Sequence, residues 1–173
     1  MYENGHGKDN IAIGSGIGLL DHAKWQPKWT IEKYDANMRL CNVEQINGNL
    51  LLNEGISSLL TLLIGGQEAP FNNSNAYIGV GDGTTAADAT QTGLVGANKS
   101  YAPMDATFPM VSGNTVTFRA TFGPTAGNHA WREFTVSNGN SDTAKNLNRK
   151  VEAAQRVKVE PDTWVVQLSI TIS

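Results

Sequence analysis

Two glycine-rich stretches, Gly14-Ser-Gly16-Ile-Gly18 and Gly79-Val-Gly81-Asp-Gly83-Thr-Thr85, invite a search for phosphate chemistry, because closely spaced backbone amides can cradle anions. Neither fits. A dinucleotide fingerprint places its third Gly where Leu19 stands and needs a parallel βαβ unit, and a P-loop needs a following Lys and a helix. The second stretch reads instead as a strand entering a tight turn, where Gly supplies positive φ. A metal site is equally ill served. His6, His22 and His129 are scattered, and no HxxxH or CxxC spacing occurs. Asp82 and Asp88 flank a Thr-rich loop but lack the alternating oxygens of a calcium loop. Cys41, the single cysteine, falls in an expected strand with no His near it in sequence, and reads as a small buried hydrophobe. Glu133 beside Arg132 reads as sheet-surface charge. Trp131-Arg-Glu-Phe134 offers a carbohydrate platform, but suits a strand with a half-buried tryptophan equally well. The residues therefore point to no catalytic group, cofactor or metal, and the expectation is a non-enzymatic protein.

Composition narrows the partners. Only 17% of residues are charged, against roughly 25% in an average soluble protein. Gly, Asn, Thr and Ser fill the gap, which suits short strands and many turns. It also suits a surface covered by neighbours, since interface cores are depleted in charge. A net charge of −3 lacks the clustered Lys and Arg of a nucleic-acid footprint. The longest apolar stretch, Leu59 to Ile64 interrupted by Thr61, is far short of a membrane span. One cysteine permits no intrachain disulfide, and the polar N-terminus does not resemble a signal peptide, so synthesis in a cytoplasm is expected. The sequons Asn72-Asn-Ser74 and Asn98-Lys-Ser100 matter only in a secreted eukaryotic protein.

The elements that must carry these residues are mostly strands. Residues 1–28 keep no period of 2 or 3.6 and read as an extended N-terminal arm. Its spaced apolar residues Ile11, Ile13, Leu19, Leu20 and Trp25 are expected to dock on a partner, with Trp25 the foremost anchor. Residues 29–173 read as a single mainly β domain, an antiparallel sandwich or barrel with one short helix. Strands are expected at Trp29–Tyr34, Met38–Ile46, Ala76–Val80, Thr115–Phe122, Ala130–Val136, Leu147–Val151, Arg156–Val159 and around Val166–Ile172. The helix is expected to start at an Asn53 cap and stop at Gly65-Gly66. Its stripe of Ile56, Leu59, Leu60 and Leu63 is expected to pack on a sheet.

Several short motifs recur in order: Asn49-Leu-Leu-Leu-Asn-Glu-Gly-Ile56, Asn75-Ala-Tyr-Ile-Gly-Val-Gly-Asp-Gly-Thr-Thr-Ala86 and Gln91-Thr-Gly-Leu94. Val116-Thr-Phe-Arg-Ala-Thr-Phe122, Ala130-Trp-Arg-Glu-Phe134 and Leu147-Asn-Arg-Lys-Val151 follow. Together, from Trp29 onward, the chain resembles a group of tailed-bacteriophage virion proteins. The resemblance implies a structural part of the virion, made in the host cytoplasm, binding the major capsid protein or other virion proteins and forming a homo-oligomer. A small domain with a docking arm favours a capsid decoration (cement) protein. A tail, fibre or adaptor component ranks second and a carbohydrate-binding module third. Long repeats and coiled-coil heptads, usual in fibres, are missing from the sequence.

Overall fold

The computed structural model describes residues 24–141 and 143–173. They form strands β1 (Trp25–Tyr34), β2 (Leu40–Asn47) and β3 (Leu50–Leu51), helix α1 (Asn53–Leu63), then β4 (Tyr77–Gly81) and β5 (Lys99–Pro103). The rest are β6 (Met110–Ser112), β7 (Thr115–Phe122), β8 (Ala130–Ser137), β9 (Asn148–Val157) and β10 (Thr163–Ile172). Two antiparallel five-stranded sheets result, one ordered β2-β1-β10-β7-β6 and the other β3-β9-β8-β4-β5. The expected mainly β architecture with one short helix is what the chain adopts. No helix among the described residues is long and apolar enough to cross a membrane.

Strict alternation builds the first sheet. Phe118 faces Leu168 across β7 and β10, and both are buried with Ala120, Phe122, Val166 and Ile170. On the opposite face Thr117 and Ser169 share a hydrogen bond of 3.2 Å, and Thr115 and Thr171 one of 2.7 Å. Such cross-strand pairs fix register where no core does so. β1 begins at Trp25, ahead of the Trp29 start read from sequence, because Trp25 and Pro27 pair with Ile172 and Ile170 of β10. Pro27 obscures this in the sequence. It is tolerated because β2 pairing starts only at Lys28.

An aromatic cluster fills the space between the sheets. Trp131 packs edge-on against Phe122 and Trp164, each at 4.8 Å between centroids, and Phe134 lies against Trp29 at 5.6 Å. Trp131 is fully buried, not half-buried as its neighbours suggested, and its Nε1 donates to the Gly127 carbonyl at 2.8 Å. The flank is closed by charge. Glu44 of β2 pairs with Lys33 and accepts from Arg156 Nε of β9 at 2.6 Å, so one carboxylate clips both sheets. Burial opposes ionisation of Glu44, but its bonds to Lys33 and Arg156 outweigh this and hold its pKa below the usual carboxylate value.

The helix overturns two expectations. Leu52, not Asn53, is the N-cap, with no side-chain bond. The amides of Leu52 and Asn53 instead donate to the carbonyls of Leu147 (3.1 Å) and Ala89 (2.8 Å), so main chain supplies the acceptors that a cap would. The stripe of Ile56, Leu59, Leu60 and Leu63 does not pack on a sheet either, because all four are exposed. The buried side carries Gly55 and Ser58. A Cβ at Gly55 would collide with the Leu147 main chain, so the helix docks through its smallest residues. Glu54 turns inward, accepting from the Asn146 amide at 2.7 Å. The stop is as expected, with Gly65 at φ +71° and its amide bonded to Leu62 O at 3.0 Å.

Phe118→Ala or Leu168→Ala is expected to cost about 2–5 kcal/mol of unfolding free energy, and Thr117→Ala or Ser169→Ala much less. Urea denaturation of the four variants checks this; equal losses would mean the faces are misassigned. Because Glu44 has a lowered folded pKa, its contribution is present above the ordinary carboxylate range and is lost as pH falls through the folded value. Glu44→Gln should therefore flatten the fall of stability on acidification, measured as unfolding temperature between neutral and acid pH.

Candidate functional site

The chemistry-bearing residues meet around Glu133, though not as a surface site. Glu133 and Arg149 are both fully buried. Arg149 donates to Glu133 Oε2 from Nε at 2.9 Å and from Nη2 at 2.6 Å. Three loop amides join them: Gly83 and Gly96 donate to Oε1 at 3.1 and 2.7 Å, and Val95 donates to Oε2 at 3.1 Å. Arg149 Nη1 reaches on to Gln91 Oε1 at 2.8 Å and Thr85 O at 3.0 Å. The ion pair thus holds both ends of the loop between β4 and β5. A Cβ at Gly83 would approach Glu133 Oε1 to 2.5 Å and one at Gly96 to 2.8 Å. Close approach to a carboxylate is why glycine is needed there, and the amides that resembled a phosphate cradle already serve Glu133.

Sequence reasoning placed Glu133 on the surface, and the structure corrects this. Opposite β9, the register of β8 shifts between Trp131 and Glu133. The shift lets Trp131 and Phe134, three positions apart, both join the core, while Glu133, Thr135 and Ser137 lie buried as well. Thr135 Oγ1 donates to Asn148 O at 2.6 Å in this polar layer. The sequence carried only scattered signs of this, Gly81 and Gly83 at one end of the loop and Gly96 at the other, where an added Cβ would come within 2.8 Å of Glu133 Oε1.

The remaining candidates are dispersed. Cys41 is exposed on β2 rather than buried, because β2 is an edge strand that extends beyond the core. Asp82 accepts from the Asn98 side chain at 2.5 Å and its amide at 3.0 Å, and the side-chain bond holds its pKa below the ordinary value. Asp88 accepts from Thr90 Oγ1 and its amide, again with a lowered pKa. His129 Nε2 lies 3.0 Å from Ser100 Oγ, and Nδ1 lies 2.9 Å from Ala130 O. That is a nucleophile–base distance, with a main-chain carbonyl where a triad has its carboxylate. No group of three or more His, Cys, Asp or Glu that could hold a metal occurs among the described residues. Trp131 and Phe134 are fully buried, so they offer no ring face for a sugar.

Sequence reasoning did not foresee an apolar surface at one end of the sandwich. The outer side of α1 shows Ile56, Leu60, Leu63 and Ile64, the last three 58%, 80% and 83% exposed. Between Asn53 and Ile64 the only ionisable residue is Glu54, which is turned inward. Beside the helix lies a groove of about 260 Å³ walled by Trp25, Leu59, Leu62, Phe71, Ile170 and Ile172. Of the expected arm anchors, Ile11, Ile13, Leu19 and Leu20 lie outside the described residues. Trp25 is half-buried in β1, with Nε1 donating to Asn49 Oδ1 at 3.0 Å. No protein-family model, curated protein or solved structure matches the chain.

Removing one member of the buried pair leaves the other charge unmatched, so Glu133→Ala and Arg149→Ala should each cost about 3–5 kcal/mol. Denaturation of both variants checks this. Near-neutral effects would mean the pair does not organise the loop.

Proposed function

We propose that the chain is a non-enzymatic structural component of a phage particle, a capsid decoration protein held through the uncharged face of α1. The observation that carries this is the exposure of Leu60, Leu63 and Ile64 side by side on a helix that turns no charge outward. A contiguous apolar patch is unusual on a free monomer and marks a contact with another protein. Low overall charge fits a molecule much of whose surface meets neighbours. The ordered motifs from Trp29 onward supply the virion part of the reading. In this account the partner is the major capsid protein or another virion protein, copies associate as a homo-oligomer, and Ile11, Ile13, Leu19 and Leu20 of the arm, with Trp25 at its root, add contacts. A tail, fibre or adaptor position uses the same face, with fewer copies per particle.

Leu60→Asp with Leu63→Asp places two charges on the face without touching the core. Retention on particles after a salt wash should fall by about tenfold or more, a loss of ~1.4 kcal/mol or more in binding. The unfolding temperature of the free protein should stay close to wild type. Full retention would contradict attachment through α1. Ser100→Ala is expected to leave retention unchanged, and an ester-hydrolysing activity abolished by it would overturn the non-enzymatic reading.

A further inference from the structure

We propose that two copies of the chain pair through β2, antiparallel and edge to edge, about a two-fold axis at Gln45. β2 is an edge strand, and β1 covers only one side of it. The Gly48 amide donates to Pro27 O at 3.1 Å, and in an antiparallel ladder bonded pairs alternate with unbonded ones. Ile46, Glu44 and Asn42 are therefore the residues bonded to β1, while Val43, Gln45 and Asn47 turn their amides and carbonyls away from it. Edge strands are ordinarily blunted by Lys, Pro, a bulge or short length. The other edges follow that rule: β5 carries Lys99 and Pro103, β6 has three residues and β3 two. β2 holds no Lys, Arg or Pro, and its one charged side chain, Glu44, is committed to Lys33 and Arg156. Its register irregularity lies opposite Lys33 and Tyr34, clear of Val43–Asn47.

What fits such an edge is an extended strand, and a second β2 fits by symmetry and by charge. An axis at Gln45 pairs Gln45 with its own copy and Val43 with Asn47 of the other copy, so every outward amide and carbonyl of the three gains a partner. On the outer face the rows then read Lys28, Asn47, Val43, Glu32, the first two residues from one copy and the last two from the other. Lys28 thus meets Glu32 along each row, about 14 Å away at the main chain, and the sign of that charge pair favours the pairing. The grooves beside α1 take no residue from β2, so the seam leaves that face free for a different protein. The seam rests on the homo-oligomer of the proposed function and gives it a surface. It is tested on the free protein, so its failure would leave attachment through α1 untouched.

The test is a charge exchange at Gln45 in a Cys41→Ser background. Gln45→Lys and Gln45→Glu each set like charges opposite one another at the axis. Each alone should dimerise several-fold more weakly than the parent, in sedimentation at high micromolar concentration, and an equimolar mixture of the two should recover the dimer. A parent that stays monomeric, leaving the edge to a strand of another virion protein, would overturn the inference. So would a mixture no tighter than its components. Cysteine trapping then checks the register. Two Gln45 Cα atoms in a bonded antiparallel pair lie about 5.5 Å apart, within disulfide reach, whereas two Val43 Cα atoms lie roughly 14 Å apart. Gln45→Cys should therefore give covalent dimers on mild oxidation many-fold faster than Val43→Cys, although both positions are exposed on the same strand. Equal rates would contradict an axis at Gln45.

Discussion

The buried pair of Glu133 and Arg149 is the constraint through which the rest of the second sheet is assembled. Burying two charges carries a penalty of several kcal/mol per ion unless every lone pair and donor finds a partner. Here Glu133 accepts from three loop amides and two guanidinium nitrogens. The loop they hold runs from Asp82 to Asn98 and includes Ala89, whose carbonyl receives the Asn53 amide at the start of α1. A line of hydrogen bonds therefore leads from the ion pair to the helix. The direction in which Leu60 and Leu63 point depends on that line and on Gly55, which lets α1 approach the Leu147 main chain.

How much of this could be read in advance depends on whether periodicity carried the information. β7 and β10 were legible because Phe118, Ala120 and Phe122, and Val166, Leu168 and Ile170, alternate without interruption. β8 was legible as a strand but not in its faces, since the register shift before Glu133 re-phases the alternation. β3, β5 and β6 passed unnoticed, being edge strands of two to five residues, too short to show an alternation. For α1 the period was right and the direction wrong. An apolar stripe states that a face must be covered, not that the same domain covers it. Gly55 and Ser58, spaced three apart on the other side, were the sequence-level sign of a helix docked by close backbone approach.

Polar and apolar groups are distributed unevenly over the molecule. Charge and hydroxyl groups are largely tied down: Glu44 clips the sheets, Asp82 and Asp88 brace their loop, and Lys158 Nζ donates to Gly123 O and Asn128 Oδ1 at 2.8 Å each. Burial pushes the Lys158 pKa below the usual lysine value, the nearby Asp162 and Glu160 opposing this in part. One patch of exposed aliphatic surface joins α1, the groove and the strand ends at Val111 and Ile172, while Met38, Leu40, Val157 and Val159 are exposed elsewhere on the sandwich. The grooves of that patch share Val116, Ile170 and Ile172, so the apolar strip is continuous from the β6–β7 hairpin to Leu59.

The proposed role makes a claim about orientation as well as location. A map of the assembled particle with this chain fitted tests both together. The account predicts many copies on the outside of the shell, with Leu60, Leu63 and Ile64 of each buried against a neighbouring protein. A chain missing from the particle, or present with α1 facing solvent, would contradict it.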